Sequence, residues 1–296
     1  MRKSASGGLI ALDLGATKFA YCLSGASPDT SSDVLPGPVV RVEFPRLGSA
    51  DREFEVIAQA LAADGSRYSG TPVLCAAPNL AGGTVESWPN RPYWRGFPLL
   101  PALESVLETR LVAVSDGEAA ALADAGNAPG AYYLSLTFGT GVAGGAVHDG
   151  DILRLGPLSS EIGHIVTDPR GRDCPCGARG CFQTAWTAFR DGSRGPGELE
   201  EFSEELGRLG RILGRVFPRC TMSLGGRFFT EDRMGAAAVL AAVDAMLDGD
   251  ATAPRLGLAR AATTHSAAAG PLLGGLILAK RLQQRQLQSK GQIPCA

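Results

Sequence analysis

His164, Cys174, Cys176 and Cys181 fall in one short stretch of the chain. Three thiolates and one imidazole are the donor set of a closed tetrahedral zinc shell. Gly177 and Gly180 let the backbone turn tightly around such an ion. Because the four protein donors leave no position for water, the metal would be structural, fixing a loop rather than activating a nucleophile. The bland alternative is three incidental reduced cysteines beside a solvated histidine. Seven cysteines without a secretion signal do not suit a disulfide framework. Cys22, Cys75 and Cys220 lie in apolar runs and read as small core residues, and Cys295 as a thiol of the C-terminal tail. His148 and His265 have no partner pattern and read as surface or satisfied polar residues.

A second set of residues could hold phosphates. In Asp13-Leu14-Gly15-Ala16-Thr17-Lys18, small residues let the backbone approach a polyphosphate, Thr17 and Lys18 offer a hydroxyl and a cation, and Asp13 could hold a hydrated magnesium ion. A plain tight β-hairpin reads the same segment equally well. Gly139-Thr140-Gly141 supplies a second small-residue turn and Gly225-Gly226 a third, each after a strand. Backbone donors from several such turns would suit a nucleotide gripped between two lobes.

Acidic groups complete the set. Asp116 follows a strand and opens the helix-favouring run Ala119–Ala123. It reads either as a simple helix cap or as a general base facing a cleft. Glu161, three residues before His164, would be held by the metal loop and could accept hydrogen bonds from substrate hydroxyls. The loop Trp88–Trp94 offers Asn90 as a hydroxyl ligand, or serves as an aromatic plug.

Elements that position these groups follow from periodicity. Leu9–Leu14, Phe19–Leu23 and Val39–Phe44 read as three consecutive strands. A helix follows over Asp51–Ala63, capped by Ser49 or Asp51. Strand Val73–Ala77, a helix around Leu99–Glu108 and strand Leu111–Ser115 alternate in the manner of an α/β sheet, whose ligands sit beyond the carboxyl ends of the strands. Tyr132–Leu136 leads into its glycine turn much as Leu9–Leu12 does, so two related half-folds are expected. Helices over Glu200–Val216, Asp232–Leu247 and Gly270–Leu287, and a strand Cys220–Leu224, fill the remainder. The expected division is an N-terminal α/β domain over 1–114, with the helix at 270–290 packing back on it, and a C-terminal α/β domain over 115–296 carrying the metal loop 164–181.

Composition sets the class. The chain has 296 residues with a formal net charge of −2, so electrostatics give no pull toward nucleic acid or an anionic membrane surface. The longest apolar stretches are broken by Gly and Pro, which excludes a transmembrane helix. Asp13 and Lys18 interrupt the first apolar run, which argues against a signal peptide and for a cytoplasmic protein.

With these residues in order, the sequence resembles the ROK (repressor, open reading frame, kinase) family of sugar kinases over nearly its whole length. Asp13–Lys18 looks like the family's first phosphate motif and Gly139–Gly145 like its second. Glu161-Ile162-Gly163-His164, followed by the Cys174, Cys176 and Cys181 pattern, is similar to its sugar and zinc signature. The resemblance implies a two-lobed, actin-like (ribonuclease H-like) ATPase/sugar kinase fold with an inter-domain cleft, closing on ATP, Mg2+ and a small-molecule sugar or polyol. It implies a structural Zn2+ and allows a homodimer. Asp116 would be the catalytic base. Asp13, Gly15, Thr17, Lys18, Gly139, Thr140, Gly141, Gly225 and Gly226 would bind the nucleotide. Asn90, Ser115, Asp116, Glu161, His164 and Gln183 would bind the sugar.

Departures from the family pattern are informative. Ser115 and Glu118 stand where the family usually carries Asn on either side of the base, and Gln183 where a sugar-binding Glu is normal. A hydroxyl pattern other than glucose's is therefore expected, with an amino sugar or a cyclitol as substrate and ordinary hexose as the competing reading. The segment 184–224 is shorter than in relatives, which weakens any transfer of adenine contacts or assembly. A family repressor would need a helix-turn-helix ahead of Leu9, and only a few residues stand there. A degenerate sugar-sensing protein is the non-enzymatic alternative, and the retained Asp116, Lys18 and Gly139–Gly141 weigh against it.

Overall fold

A computed structural model describes residues 2–24, 36–65, 67–125, 131–154, 161–192, 195–258 and 270–289. Cys295 and His265 lie outside the described residues. The chain forms two compact units, Met1–Ala119 with Ala267–Ala296, and Ala120–Ser266.

Unit 1 opens with β1 (Arg2–Gly8), β2 (Ile10–Leu14), β3 (Lys18–Ser24) and β4 (Pro36–Glu43), then α1 (Ala50–Ala63), β5 (Arg67–Tyr68) and β6 (Val73–Ala76). A short hairpin of β7 (Asn79–Ala81) and β8 (Thr84–Ser87) leads to α2 (Leu99–Leu107), β9 (Val112–Ser115) and α3 (Asp116–Ala125). Ser49 caps α1 by accepting from Arg52 N at 3.5 Å. Ile57 and Leu61 of that helix are buried in one core with Leu12, Leu74, Leu103 and Leu107, as their helical spacing requires.

Unit 2 contains the end of α3, then β10 (Tyr132–Phe138), β11 (Val142–His148), β12 (Asp151–Ile152), α4 (Phe182–Asp191), α5 (Pro196–Val216), β13 (Thr221–Gly226), α6 (Arg227–Glu231), α7 (Arg233–Leu247) and β14 (Arg255–Leu258). The last helix, α8 (Pro271–Ser289), belongs to unit 1, where it packs on β2 and β6. A Cβ at Gly275 would sit 2.9 Å from both the Ala11 Cβ and the Cys75 Sγ, so only glycine lets α8 come this close.

The two sheets share one plan. Their strand orders are β4-β3-β2-β6-β9 and β12-β11-β10-β13-β14. In each, the first three strands in sequence are antiparallel neighbours, the first of them then pairs in parallel with the next strand, and that strand pairs in parallel with the last. The two half-folds expected from the glycine turns are therefore present, each turn joining the first antiparallel pair of its sheet.

The division between units falls inside α3 rather than ahead of it. The start of that helix emerges from β9. Its far end is tied to the second sheet, because the buried Asp124 accepts from Ser135 Oγ at 3.0 Å and Ser223 Oγ at 2.9 Å. The unit 2 core gathers Leu134, Leu136 and Phe138 of β10 with Phe182, Trp186 and Phe189 of α4 and Phe202 of α5. Among the described residues no helix is long and apolar enough to cross a membrane.

Candidate active site

Parallel pairing brings the carboxyl ends of β2, β6 and β9 side by side. Asp13 pairs with Cys75 across β2 and β6, and Ala76 with Ser115 across β6 and β9. With neighbouring strands roughly 4.8 Å apart and β6 between them, Asp13 on β2 and Asp116 just past β9 stand two strand spacings, roughly 10 Å, apart at the carboxyl end of the sheet. The Cys75 thiol between them is held well above the usual thiol range, first by burial and then by the charges of Asp13 and Asp116. Asp13 itself is pushed up to about 6 by burial, which outweighs the attraction of Lys18 and Arg41. A carboxylate so incompletely compensated fits a cation partner.

The Asp13–Lys18 turn is a tight hairpin, with Gly15 N donating to Lys18 O at 3.0 Å and Thr17 and Lys18 exposed. A residue that the sequence did not single out holds it from behind. Arg91, 0% exposed, donates from Nε to Ala16 O at 2.9 Å, from Nη2 to Phe44 O at 2.6 Å and from Nη1 to Pro45 O at 3.0 Å. Its ion pair with Glu53, also 0% exposed, is 2.5 Å long. Tyr93 OH and Trp94 Nε1 each donate to Glu53 at 2.6 Å, and the guanidinium lies 4.0 Å from the Phe44 ring centroid. Burial alone would raise the Glu53 carboxyl, but the bonds from Tyr93, Trp94, Leu47 N and Arg91 outweigh it and hold it below its ordinary value. The Trp88–Trp94 loop is thus an aromatic plug, with Trp88 and Trp94 buried, and Asn90 sits half-buried on its turn.

Asp116 begins α3 and accepts from Gly117 N at 2.8 Å. On either side, Glu118 N donates to Ser115 Oγ and Ser115 N donates to Glu118 Oε2, both at 3.0 Å. This reciprocal pair is a capping box. The two residues that replace the family's asparagines therefore serve each other. The Ser115 hydroxyl oxygen is engaged with backbone, which leaves its O–H as the group with which it could meet a substrate.

Unit 2 carries the second turn. Gly139 N donates to Gly141 O at 2.9 Å, and Gly139 and Thr140 are exposed. Gly225 and Gly226 stand beside it, paired with Thr137 and Phe138 of β10. At Gly226, φ is +104° and a Cβ would lie 2.1 Å from Phe138 O, so no other residue fits. Helix α4 reaches the turn with three side chains. Gln183 Oε1 accepts from Val142 N at 3.3 Å, Trp186 Nε1 donates to Gly139 O at 3.0 Å, and Arg190 Nη1 donates to Thr140 O. Gln183 thus uses its carbonyl on this turn, leaving its amide nitrogen as its donor.

The four candidate metal ligands come together as their spacing requires. The donor atoms of His164, Cys174, Cys176 and Cys181 lie within 4.8 Å of one another, with Cys174 Sγ 3.5 Å from His164 Nδ1 and Cys176 Sγ 3.7 Å from Cys181 Sγ. Gly177 and Gly180 both have positive φ. His164 Nε2 is 3.5 Å from Glu161 Oε2, so the second ring nitrogen faces a carboxylate, as is usual behind a metal-bound imidazole. Burial first, and then the neighbouring thiols, push the Cys181 thiol up to about 12. Three sulfurs this close fit a divalent cation, which would turn them into thiolates.

Comparison with known proteins adds to this geometry. The sequence model of the ROK family matches residues 9–204. The chain is 34% identical over 180 residues to a kanosamine kinase of Amycolatopsis mediterranei, covering 59% of this chain and 57% of that one. It is 32% identical over 199 residues to an N-acetylmannosamine kinase of Escherichia coli, covering 64% and 65%. The matched stretch thus spans less than two-thirds of these relatives. The solved structure of a ROK hexokinase from Thermus thermophilus superposes with a TM-score of 0.71 at 25% identity, covering 93% of this chain and 99% of that one.

Proposed function

This chain belongs to the ROK family, with the actin-like α/β fold of its solved relatives, and we propose that it is an ATP-dependent kinase of an amino sugar. The observation that carries the reading is the placement of Asp13 and Asp116 at the carboxyl ends of two strands that flank β6 in one mixed sheet, beside a hairpin of small residues. The names of both sequence relatives support an amino sugar over plain hexose.

In this reading Asp116 takes the proton of the attacking hydroxyl. An alcohol is a weak nucleophile at neutral pH, and a carboxylate in hydrogen-bond reach removes that handicap. The capping box of Ser115 and Glu118 fixes the backbone from which Asp116 projects. The amides of the Asp13–Lys18 turn with the Lys18 ammonium, and those of the Gly139–Gly141 turn, would each offer donors suited to phosphoryl oxygens. Asp13 would hold Mg2+, which when bound neutralises charge on the transferring phosphoryl group. Asn90, Glu161, His164, the Ser115 hydroxyl and the Gln183 amide would read the sugar hydroxyls. His164, Cys174, Cys176 and Cys181 would hold a structural Zn2+ that fixes the loop carrying Glu161. A soluble cytoplasmic setting, with no nucleic acid or membrane partner, fits this chemistry.

The test is a coupled ADP-release assay with kanosamine, N-acetylmannosamine, glucose, fructose and a C7-cyclitol, repeated on Asp116→Asn. The expected result is the highest kcat/KM with an amino sugar and a loss of about a thousand-fold or more in kcat for the variant. A strong preference for glucose would restore the ordinary hexose reading. Absence of turnover with every substrate would favour the sugar-sensing protein.

A further inference from the structure

The face of α4 that meets the second glycine turn does more than pack. Gln183, Trp186 and Arg190 stand at positions i, i+3 and i+7, one stripe of a helix. Their three polar groups engage successive backbone positions, Val142 N, Gly139 O and Thr140 O. The helix is itself well anchored. It starts at Cys181, with Phe182 N bonded to Ile165 O at 2.9 Å. The Trp186 ring is wedged edge-on against Phe138, 5.0 Å between centroids, with Phe202 at 5.6 Å. Two of the three guanidinium nitrogens of Arg190 are forked onto Asp191, at 2.6 and 2.7 Å, and the third is directed at Thr140 O.

Peptide geometry converts these contacts into a direction. In a trans peptide, the carbonyl and the following N–H point opposite ways. Drawing Gly139 O and Thr140 O toward α4 therefore turns the N–H groups of Thr140 and Gly141 away from it. A carbonyl that accepts from a cation also strengthens the N–H of its own peptide unit as a donor. The amides of this turn are thus aimed and polarised before any anion arrives, and preorganised donors bind charge without a reorganisation cost.

We propose that Trp186 and Arg190 are positioning residues for the phosphate donor, setting the orientation of the Thr140 and Gly141 amides without touching the nucleotide themselves. This rests on the kinase reading above, and deepens it by assigning residues that the glycine pattern does not contain.

Trp186→Phe keeps an aromatic ring in the buried cluster but removes the indole donor together with part of the packed volume. Arg190→Ala removes the guanidinium, and Arg190→Lys keeps a charge on a shorter, unforked group. Each variant is compared with wild type for KM of ATP, KM of the sugar and kcat, for ADP binding by titration calorimetry, and for thermal midpoint. The expected result is a rise of roughly five- to fifty-fold in the KM of ATP and in the ADP Kd for Trp186→Phe and Arg190→Ala. The KM of the sugar should move less than about two-fold, and Arg190→Lys should recover part of the loss. Unchanged nucleotide affinity in an active protein would overturn the proposal alone. So would both KM values rising together with a falling thermal midpoint, the mark of a merely structural role. A wild type that binds no ADP and phosphorylates no sugar would overturn the kinase reading, and the proposal with it.

Discussion

Two glycine-bearing turns occupy equivalent places in two sheets of the same strand order, and each has an arginine bonded to a carbonyl on its back. Their surroundings differ. Arg91 and Glu53 are wholly removed from water, whereas Arg190 and Asp191 keep 26% and 58% of their side-chain surface exposed. A guanidinium taken out of water must have nearly every N–H satisfied. Arg91 accordingly bonds three carbonyls and a carboxylate, welding the first turn to the loop after β4, to α1 and to the aromatic plug. Arg190 stays hydrated and needs only its neighbour and one carbonyl. The same local task is thus performed once by a structural keystone and once by a light contact, and the two should separate when stability and ligand affinity are measured independently.

The largest effect is expected from Arg91→Met. It leaves the Glu53 carboxylate buried without its cation, and breaking such a pair costs about 3–5 kcal/mol, readable in urea or guanidinium denaturation at pH 7. The sign with pH follows from the direction of the Glu53 shift. A carboxyl held below its unfolded value stabilises the fold above about pH 4.5 and loses that contribution as pH falls through its folded value. Without the guanidinium the carboxyl rises, so the acid limb of the variant's stability curve should move to higher pH. A variant as stable as wild type would erase the distinction between the two turns.

Asp13 gives an intermediate effect of opposite sign. Its folded value is raised from 3.8 to about 6, so the native state holds the proton more tightly than the unfolded chain, and stability falls as pH rises between these values. Asp13→Asn should therefore be more stable than wild type at pH 7, on the order of 1–3 kcal/mol, with the gap closing near pH 4, while losing activity throughout. An equal gap at both pH values would refute the burial argument. The smallest effect belongs to Arg190→Ala, whose denaturation midpoint should stay within error of wild type even as its nucleotide affinity drops. A loss of stability matching that of Arg91→Met would show that the second turn is also a keystone.

Much of this arrangement is legible in the chain because it is local. Asp13 to Lys18, Gly139 to Gly141 and the run from His164 to Cys181 each carry their chemistry within a few positions, and alternation of strands and helices gives the sheets. The pair Glu53 and Arg91 leaves no such trace. Glu53 looks like an ordinary polar position near the start of α1, and its partner is separated from it by a hairpin and two strands. Helix α4 left a signal that goes unread, since Phe182, Ala185, Trp186 and Phe189 recur at helical spacing. Threonines 184 and 187 weaken the helical propensity, and no side chain caps the start at Cys181. Ser115 and Glu118 illustrate the converse. Taken singly they look like altered substrate contacts, whereas their spacing of three is that of a capping box, and they are bonded to each other.

The return of α8 to unit 1 has a consequence for biosynthesis. The face of β2 and β6 that carries Ala11 and Cys75 is covered by a helix from the far end of the chain, while unit 2 is continuous in sequence. On the ribosome the later-made half can therefore finish folding first, and the half that emerges first waits with an apolar surface bare until α8 has emerged. Protease sensitivity of nascent chains stalled before and after Pro271 would show that order directly, with protection of unit 1 gained only by the longer chain.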